Sequence, residues 1–511
     1  MRFRYLAAAA LALVSAAFAL DGQIGIHDPS TIIQCDGKYY TFGTGGGGLI
    51  SSDGWTWERG ASRPGGGVAP DVIHIGDRYY LYYSTSSRQP KADVHMIWNK
   101  TLDPNSPSFK WEEGGIVASS DGEEDCNAID PAVLLDPVTG KMWLSYGSYF
   151  GYIRLVQLDP KTGKRVVPID KPVDIAINCE ASQMIFHEGW YYLLATHGSC
   201  CRGADSGYNI RVGRSRKVTG PYLDNMGIDM IKGGGKLVVG SSGRLIGAGH
   251  FGLLDLGGGV QKFSCHYEAD LDRGGASVLE IRPLLWKDGW PSAGENVKEG
   301  TYEIESVRTG TALELAVQGV PVGGGRGGAP GGRGATPGGP GGGISGGGVS
   351  GGGVSGGGAS GGRGGGGMFG GTGGVIPPQN VAEVSKNWPS GNIDIRLSNY
   401  MLQAQQKWTI APAANAGGYP GSPYFKITIA GTDRALAATE DAELVAVPAF
   451  TGGPEQLWRI DQLTDGTYRL MPKAVPNSKD PLALSAVGSS FATLARFDPK
   501  SDKQRWNLKT P

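Results

Sequence analysis

Concentrated charge of one sign is missing from this 511-residue chain, in which 47 Lys and Arg stand against 48 Asp and Glu for a formal net charge of −1. No basic block is dense enough to form a nucleic-acid or anionic-membrane surface, so no nucleic-acid partner is expected. Long apolar runs are equally scarce. The opening "MRFRYLAAAALALVSAAFAL" has two arginines, a short apolar stretch and the triplet Ala17-Phe18-Ala19, the layout of a cleaved export signal over residues 1–20. No second run follows that would span a bilayer, so a secreted or periplasmic protein without membrane attachment is expected. Cysteine is sparse too. Six residues, at 35, 126, 179, 200, 201 and 265, allow up to three bridges, too few to frame a fold this large. They are read as local staples or buried thiols, and the adjacent Cys200-Cys201 matches no familiar zinc spacing. Helical periodicity is nearly absent from residue 22 to about 296.

What is present is repetition. The segments "IGIHDPSTIIQCDGKYYTFGTG", "VAPDVIHIGDRYYLYYSTS", "NAIDPAVLLDPVTGKMWLSYGS" and "NCEASQMIFHEGWYYLLATHGS" share one build. Each has an acidic residue, a short apolar strand, a Gly turn and a second strand rich in Tyr, Trp or Leu. A weaker fifth unit surrounds Gly234–His250. Units of roughly 40 to 60 residues fit four-stranded propeller blades, and five units predict five blades over 21–296. A β-sandwich has similar strands and turns. Residues 319–374 are dominated by glycine and bury little apolar area against a large backbone entropy, which predicts a disordered insertion. Three Gln-x-Trp triplets then end at Trp408, Trp458 and Trp506. Their spacing predicts a threefold β-trefoil over 297–511, with each Trp in an equivalent core position. The fold class is therefore all-β, a five-bladed propeller followed by a trefoil that carries the glycine-rich insertion.

In a propeller the innermost strands converge on the axis, so Asp28, Asp130 and Glu180 can meet despite their separation in sequence. Glycosidic hydrolysis needs such a set: one carboxylate to activate water and one carboxylic acid to protonate the leaving oxygen. A third carboxylate raises the acid's pKa by like-charge repulsion. Asp71 is a fourth candidate. The competing reading makes these acids turn formers, as in Asp103-Pro104, Asp136-Pro137 and Asp159-Pro160.

The segments "HDPS" at 27–30, "APDV" at 69–72, "LDPNSPSFKW" at 102–111, "NAIDP" at 127–131, "GSCCRGADSGYNIRVGRS" at 198–215, "TGPY" at 219–222, "GAGH" at 247–250 and "IRPLLWKDGWP" at 281–291 resemble glycoside hydrolase family 43. Within it the chain is most similar to endo-α-1,5-L-arabinanases. That resemblance implies an inverting hydrolase of arabinan, a plant-type polysaccharide, with Asp28 as general base, Glu180 as general acid and Asp130 tuning the acid. Inversion places base and acid about 6.5–9.5 Å apart. It also implies a metal ion, often calcium, in the axial channel with His250 and waters around it. His27, Asn127, Phe150 and Arg202 are the candidate substrate contacts, and Asp71 takes a supporting part. Alternatives are an exo-acting arabinofuranosidase, a β-xylosidase-like enzyme, or a propeller that binds polysaccharide without cleaving it. This chain departs from the family pattern at Val68, where an aromatic is usual, and at Ser182, where the family has proline. Its first blade is also glycine-rich at Gly43–Gly48. The C-terminal region resembles ricin-type β-trefoil lectins, whose Gln-x-Trp triplets are core features; Asp394, Asp433 and Asp480 are the acids a sugar site there would draw on.

Overall fold

The computed structural model describes residues 20–85, 90–166, 171–317 and 380–511. The expected export signal, apart from Leu20, and the glycine-rich insertion lie outside the described residues.

Five antiparallel sheets follow one another along the first half of the chain. Blade 1 has strands Ile33–Cys35, Lys38–Phe42, Gly47–Ser51 and Thr56–Ser62, and blade 2 has Val68–Ile75, Arg78–Ser84, Lys91–Asn99 and Glu112–Asp121. Blade 3 comprises Ala132–Leu135, Met142–Tyr146, Tyr152–Leu158 and Val173–Ile177. Blade 4 comprises Glu180–His187, Trp190–His197, Asn209–Ser215 and Lys236–Val239, and blade 5 Leu245–Asp255, Gln261–Asp270, Ala276–Lys287 and Trp290–Ala293. A propeller blade is covered on both faces by its neighbours, so its second strand reads as a nearly unbroken apolar run. Tyr79 through Tyr83 are all buried, as are Tyr191 through Ala195. The doublets Tyr39-Tyr40, Tyr79-Tyr80, Met142-Trp143 and Tyr191-Tyr192 lie on these second strands in blades 1 to 4. Tyrosine hydroxyls on these strands cross to the next blade or loop: Tyr82 donates to the Gly163 carbonyl at 2.8 Å and Tyr191 to Asp136 at 2.9 Å.

The fifth unit is the one whose sequence boundaries need correction. Lys236–Val239 closes blade 4, and blade 5 starts at Leu245, so the motif around Gly234–His250 straddles two blades. Blade 5's second strand holds single aromatics, Phe263 and Tyr267, rather than a doublet, which removed the cue. The ring is closed by the chain's start. Asp21–Gly22 pairs in parallel with Thr56–Trp57 of blade 1, and Ile24 and Ile26 exchange backbone hydrogen bonds with Leu279 and Ser277 of blade 5.

From Gly300 the strands join a different sheet system with threefold character. Trp408, Trp458 and Trp506 are fully buried, and their indole Nε1 groups donate to the carbonyls of Leu313, Leu436 and Leu484 at 2.8, 3.0 and 2.9 Å. The paired glutamines repeat the pattern. The Oε1 atoms of Gln406, Gln456 and Gln504 accept from the amides of Met401, Thr451 and Asp498 at 2.7, 2.8 and 2.8 Å. Each triplet thus fills a core position with its Trp and pins its own preceding loop with its Gln.

Propeller and trefoil meet through buried polar groups. The Lys262 ammonium of blade 5 donates to the Pro420 carbonyl of the trefoil and lies 5.4 Å from the Tyr419 ring centroid. Beside it, buried Asp461 accepts from Arg459 at 2.7 Å and from Arg469. Gly418 sits so close to Trp55 that an added Cβ would lie 2.2 Å from that side chain, which explains the glycine.

Candidate active site

Five residues, one per blade, adopt the same unusual backbone. Asp28, Ala69, Asp130, Ala181 and His250 have φ of 51, 48, 53, 47 and 58°. A left-handed conformation costs a residue with a side chain about 1–2 kcal/mol, so its fivefold recurrence marks a geometric requirement. Strand pairing slips beside three of them, between Val68 and Asp71, Glu180 and Gln183, and Gly249 and Gly252. Such bulges re-aim side chains at a strand's end. Residues from all five innermost strands consequently line one axial cavity of about 10 Å³, with Pro29, Pro70, Pro131, Ser182 and Phe251 at equivalent places. That is space for about one water.

Ser182 is the position where proline is usual. Ala181 keeps the left-handed turn, and the Ser182 hydroxyl is paired with Ser145 Oγ at 2.9 Å. A hydrogen bond to the neighbouring blade thus accompanies the lost ring.

Asp28 is held from three sides. His27 Nδ1 lies 2.9 Å from Oδ2, His250 Nδ1 lies 3.2 Å from Oδ1, and Thr44 Oγ1 donates to Oδ2 at 2.6 Å. Burial would raise this carboxyl, but His250, with further bonds from His27, outweighs it and holds the pKa well below the usual range. His27 is itself clamped, its Nε2 standing 3.0 Å from Glu268. Burial opposes its charge, yet Asp28 and Glu268 lift its pKa to about 10, so it is a cation at neutral pH. His266 stacks on the ring with centroids 4.5 Å apart and accepts from the Asp28 amide at 3.2 Å.

Glu180 experiences the opposite environment. It is buried beside Asp130, and burial together with that like charge pushes its pKa up to about 8, although a hydrogen bond from Tyr208 favours the ionised form. Asp130 accepts from the Ala181 amide, the residue after Glu180, at 3.0 Å. Burial, moderated by His250, leaves Asp130 raised to about 6. One carboxylate is thereby kept ionised and another protonated at neutral pH, the separation of roles that acid–base hydrolysis needs. Asp71 is placed differently. Its two oxygens accept from the amides of Thr31 and Val133 at 3.1 and 3.0 Å, tying blades 1 and 3 to blade 2.

The candidate substrate contacts divide. His27 lies within the cluster. Asn127 is fully buried, accepting from Ser148 at 2.9 Å. Phe150 is 47 % exposed, and its neighbour Tyr149, 42 % exposed, feels the charge of Glu180 and donates to the Thr196 carbonyl at 3.3 Å. Arg202 is exposed on the loop after the paired cysteines. Thr44 stands at the end of the first repeat and Tyr208 inside a family segment, but nothing there singles them out, and His266 and Glu268 fall outside every repeat and motif.

An axial ion finds one ready nitrogen. Buried His250 Nδ1 faces Asp28 without the alignment of a hydrogen bond, and Thr31 Oγ1 is a second buried atom without a partner. Calcium takes six to eight oxygen ligands, so an ion held by His250 fits only with a shell made largely of water.

The cysteines form a single bridge, Cys200–Cys201, and Cys35, Cys126, Cys179 and Cys265 are buried free thiols.

Residues 46–291 match the family described as Glycosyl hydrolases family 43, and residues 404–492 match the ricin-type beta-trefoil lectin domain-like family. The chain is 34 % identical over 321 residues to an extracellular exo-alpha-(1->5)-L-arabinofuranosidase of Cellvibrio japonicus, covering 56 % of this chain and 91 % of that protein. It is 32 % identical over 230 residues to an extracellular endo-alpha-(1->5)-L-arabinanase of Bacillus subtilis, covering 44 % and 68 % respectively. Among solved structures, an exo-1,5-alpha-L-arabinanase from a bovine ruminal metagenomic library superposes with a TM-score of 0.50 at 35 % identity, over 54 % of this chain and all of that one. With its five blades, its ring of inward carboxylates and these relatives, the chain belongs to glycosyl hydrolase family 43 and is a glycoside hydrolase with a ricin-type β-trefoil behind its propeller.

Proposed function

We propose that this enzyme hydrolyses α-1,5-linked L-arabinofuranosyl bonds of arabinan with inversion, outside the cytoplasm. The observation that carries the chemistry is the opposed surroundings of two carboxyls in one site, part-buried Asp28 held by His27, His250 and Thr44 and buried Glu180 set beside the like charge of Asp130. Glu180, protonated at neutral pH, gives its proton to the glycosidic oxygen as that bond breaks. Asp28, ionised, takes a proton from the water that attacks the anomeric carbon from the other face. Each turnover leaves Glu180 ionised and Asp28 protonated, and exchange with solvent restores both. Asp130 keeps a carboxyl beside Glu180 and, through the Ala181 amide, fixes the backbone that carries it. The charge of His27 keeps Asp28 an anion between turnovers.

The substrate is supported by the names of the relatives, and they include both modes of attack. Internal cleavage is the finer reading, supported by the Bacillus subtilis relative, and it predicts that linear α-1,5-arabinan yields short oligomers before arabinose. Chromatography of early products decides this. Arabinose as sole product from the first minutes indicates terminal attack, and intact arabinan alongside cleaved xylan substrates would overturn the substrate assignment.

An axial calcium would be held by His250 with a water shell, and when bound would supply positive charge next to Asp28 and Asp130. Chelation is expected to lower both kcat/KM and the melting temperature, with calcium restoring them in the wild type but not in His250→Ala. Identical values before and after chelation, with no metal found by elemental analysis, would remove the ion from this account.

A further inference from the structure

The bridge between Cys200 and Cys201 lies beside His27 and Glu268, the pair that supports Asp28, and the hydrolytic mechanism gives its two sulfurs no part. One ligand atom each from His27, Cys200, Cys201 and Glu268 all lie within 4.8 Å of one another. Tetrahedral zinc with two sulfur, one nitrogen and one oxygen ligand separates its donors by about 3.3–3.8 Å, so the wider gaps close by about 1–1.5 Å while the two sulfurs, once unbonded, move apart. Their chemistry is graded in the right way. Two sulfurs supply soft donors, His27 a ring nitrogen, and buried Glu268 a carboxylate that its hydrogen bonds to His266 and His27 keep ionised, well below the usual range despite burial. Cys201 is exposed and Cys200 partly so, which gives both a reductant and an ion access from solvent.

While the sulfurs are bonded to each other neither is a thiolate, and the site is closed to metal. We propose that Cys200 and Cys201, once reduced by a dithiol, join His27 and Glu268 in a four-ligand site for a soft divalent cation of the zinc type. Reduction is ordinary thiol–disulfide exchange. The dithiol's two sulfurs become a cyclic disulfide, the Cys200–Cys201 bond breaks, and both cysteines leave as thiols. Binding then releases the two thiol protons to solvent, together with the proton His27 shares with Glu268. The four remaining cysteines are buried and do not compete for the ion.

The site does not rest on the arabinan reading, and its test needs no substrate. The full chain is reduced with a dithiol, freed of reductant without oxygen, checked for an unchanged circular dichroism spectrum, and titrated with Co²⁺. One equivalent is expected to bind with a thiolate-to-cobalt charge-transfer band that Zn²⁺ abolishes, at an affinity about a hundredfold above that of the oxidised protein. The band is expected to vanish in C200S/C201S, and equally after alkylation of the reduced wild type, which serves should the double variant fold poorly. No band in the reduced, folded protein overturns the proposal. So does a band of equal strength in the oxidised protein or in the alkylated one, since the ion then sits elsewhere.

Discussion

Replacing Glu180 by glutamine is expected to lower kcat on linear arabinan by roughly 10²–10⁴, the range that a positioned proton donor contributes. Glutamine keeps the shape and a polar head but has no proton to give. Its effect should be far smaller on an aryl arabinofuranoside whose leaving group departs without protonation, and that contrast separates an acid from a residue that merely shapes the pocket. Equal losses on both substrates would sink the assignment. The pH profile gives an independent reading. With its carboxyl pushed up to about 8, Glu180 is protonated at neutral pH, and kcat/KM should fall as pH rises through that value. The sign for stability is the same. The folded protein holds this proton after the unfolded chain, with an ordinary carboxyl near 4.5, has lost it, so stability declines as pH rises from about 4.5 to about 8. Glu180→Gln should therefore melt higher than the wild type at pH 9 and show little difference at pH 4.

The second large effect lies far from the sugar. Asp461 is fully buried, with Arg459 and Arg469 bonded to it and Lys262 of the propeller close enough to feel its charge. Burial pulls the Lys262 ammonium down to about 8 even with Asp461 to support it. Asp461→Ala leaves three desolvated cations facing one another, and breaking a buried pair from one side typically destabilises by about 3–5 kcal/mol. That is a large part of a domain's usual stability, so a clear fall in denaturation midpoint is expected. Asp461→Asn keeps an acceptor for the arginines and removes only the charge, so it should fall between. A midpoint unchanged in Asp461→Ala would show that the junction does not depend on this charge.

Much of the architecture is legible because repetition leaves a mark in sequence. Paired aromatics at Tyr79-Tyr80 and Tyr191-Tyr192 announce strands covered on both faces, and three Gln-x-Trp triplets announce three equivalent core positions. The fifth blade is blurred because its second strand spreads its aromatics to Phe263 and Tyr267. The carboxylates Asp28, Asp130 and Glu180 stand out because each heads a repeat, and the structure brings them to one axis. What surrounds them does not stand out. Tyr208 follows a loop between strands of blade 4, Thr44 lies among glycines, and His266 and Glu268 sit mid-strand in blade 5, where alternation points them inward with nothing local to say so. Their proximity arises only when the ring closes and blade 5 comes to rest beside blade 1.

The left-handed turn at the head of each innermost strand has a consequence for how such a site can change. The scaffold supplies five interchangeable mounting points, and the chemistry depends on what each one carries: a carboxylate at two, alanine at two and an imidazole at one. A new side chain installed at Ala69 would meet a backbone that already holds the left-handed conformation. Part of the reactivity in this ring is therefore a matter of occupancy at fixed sockets, with the proton donor Glu180 mounted one residue ahead of its own.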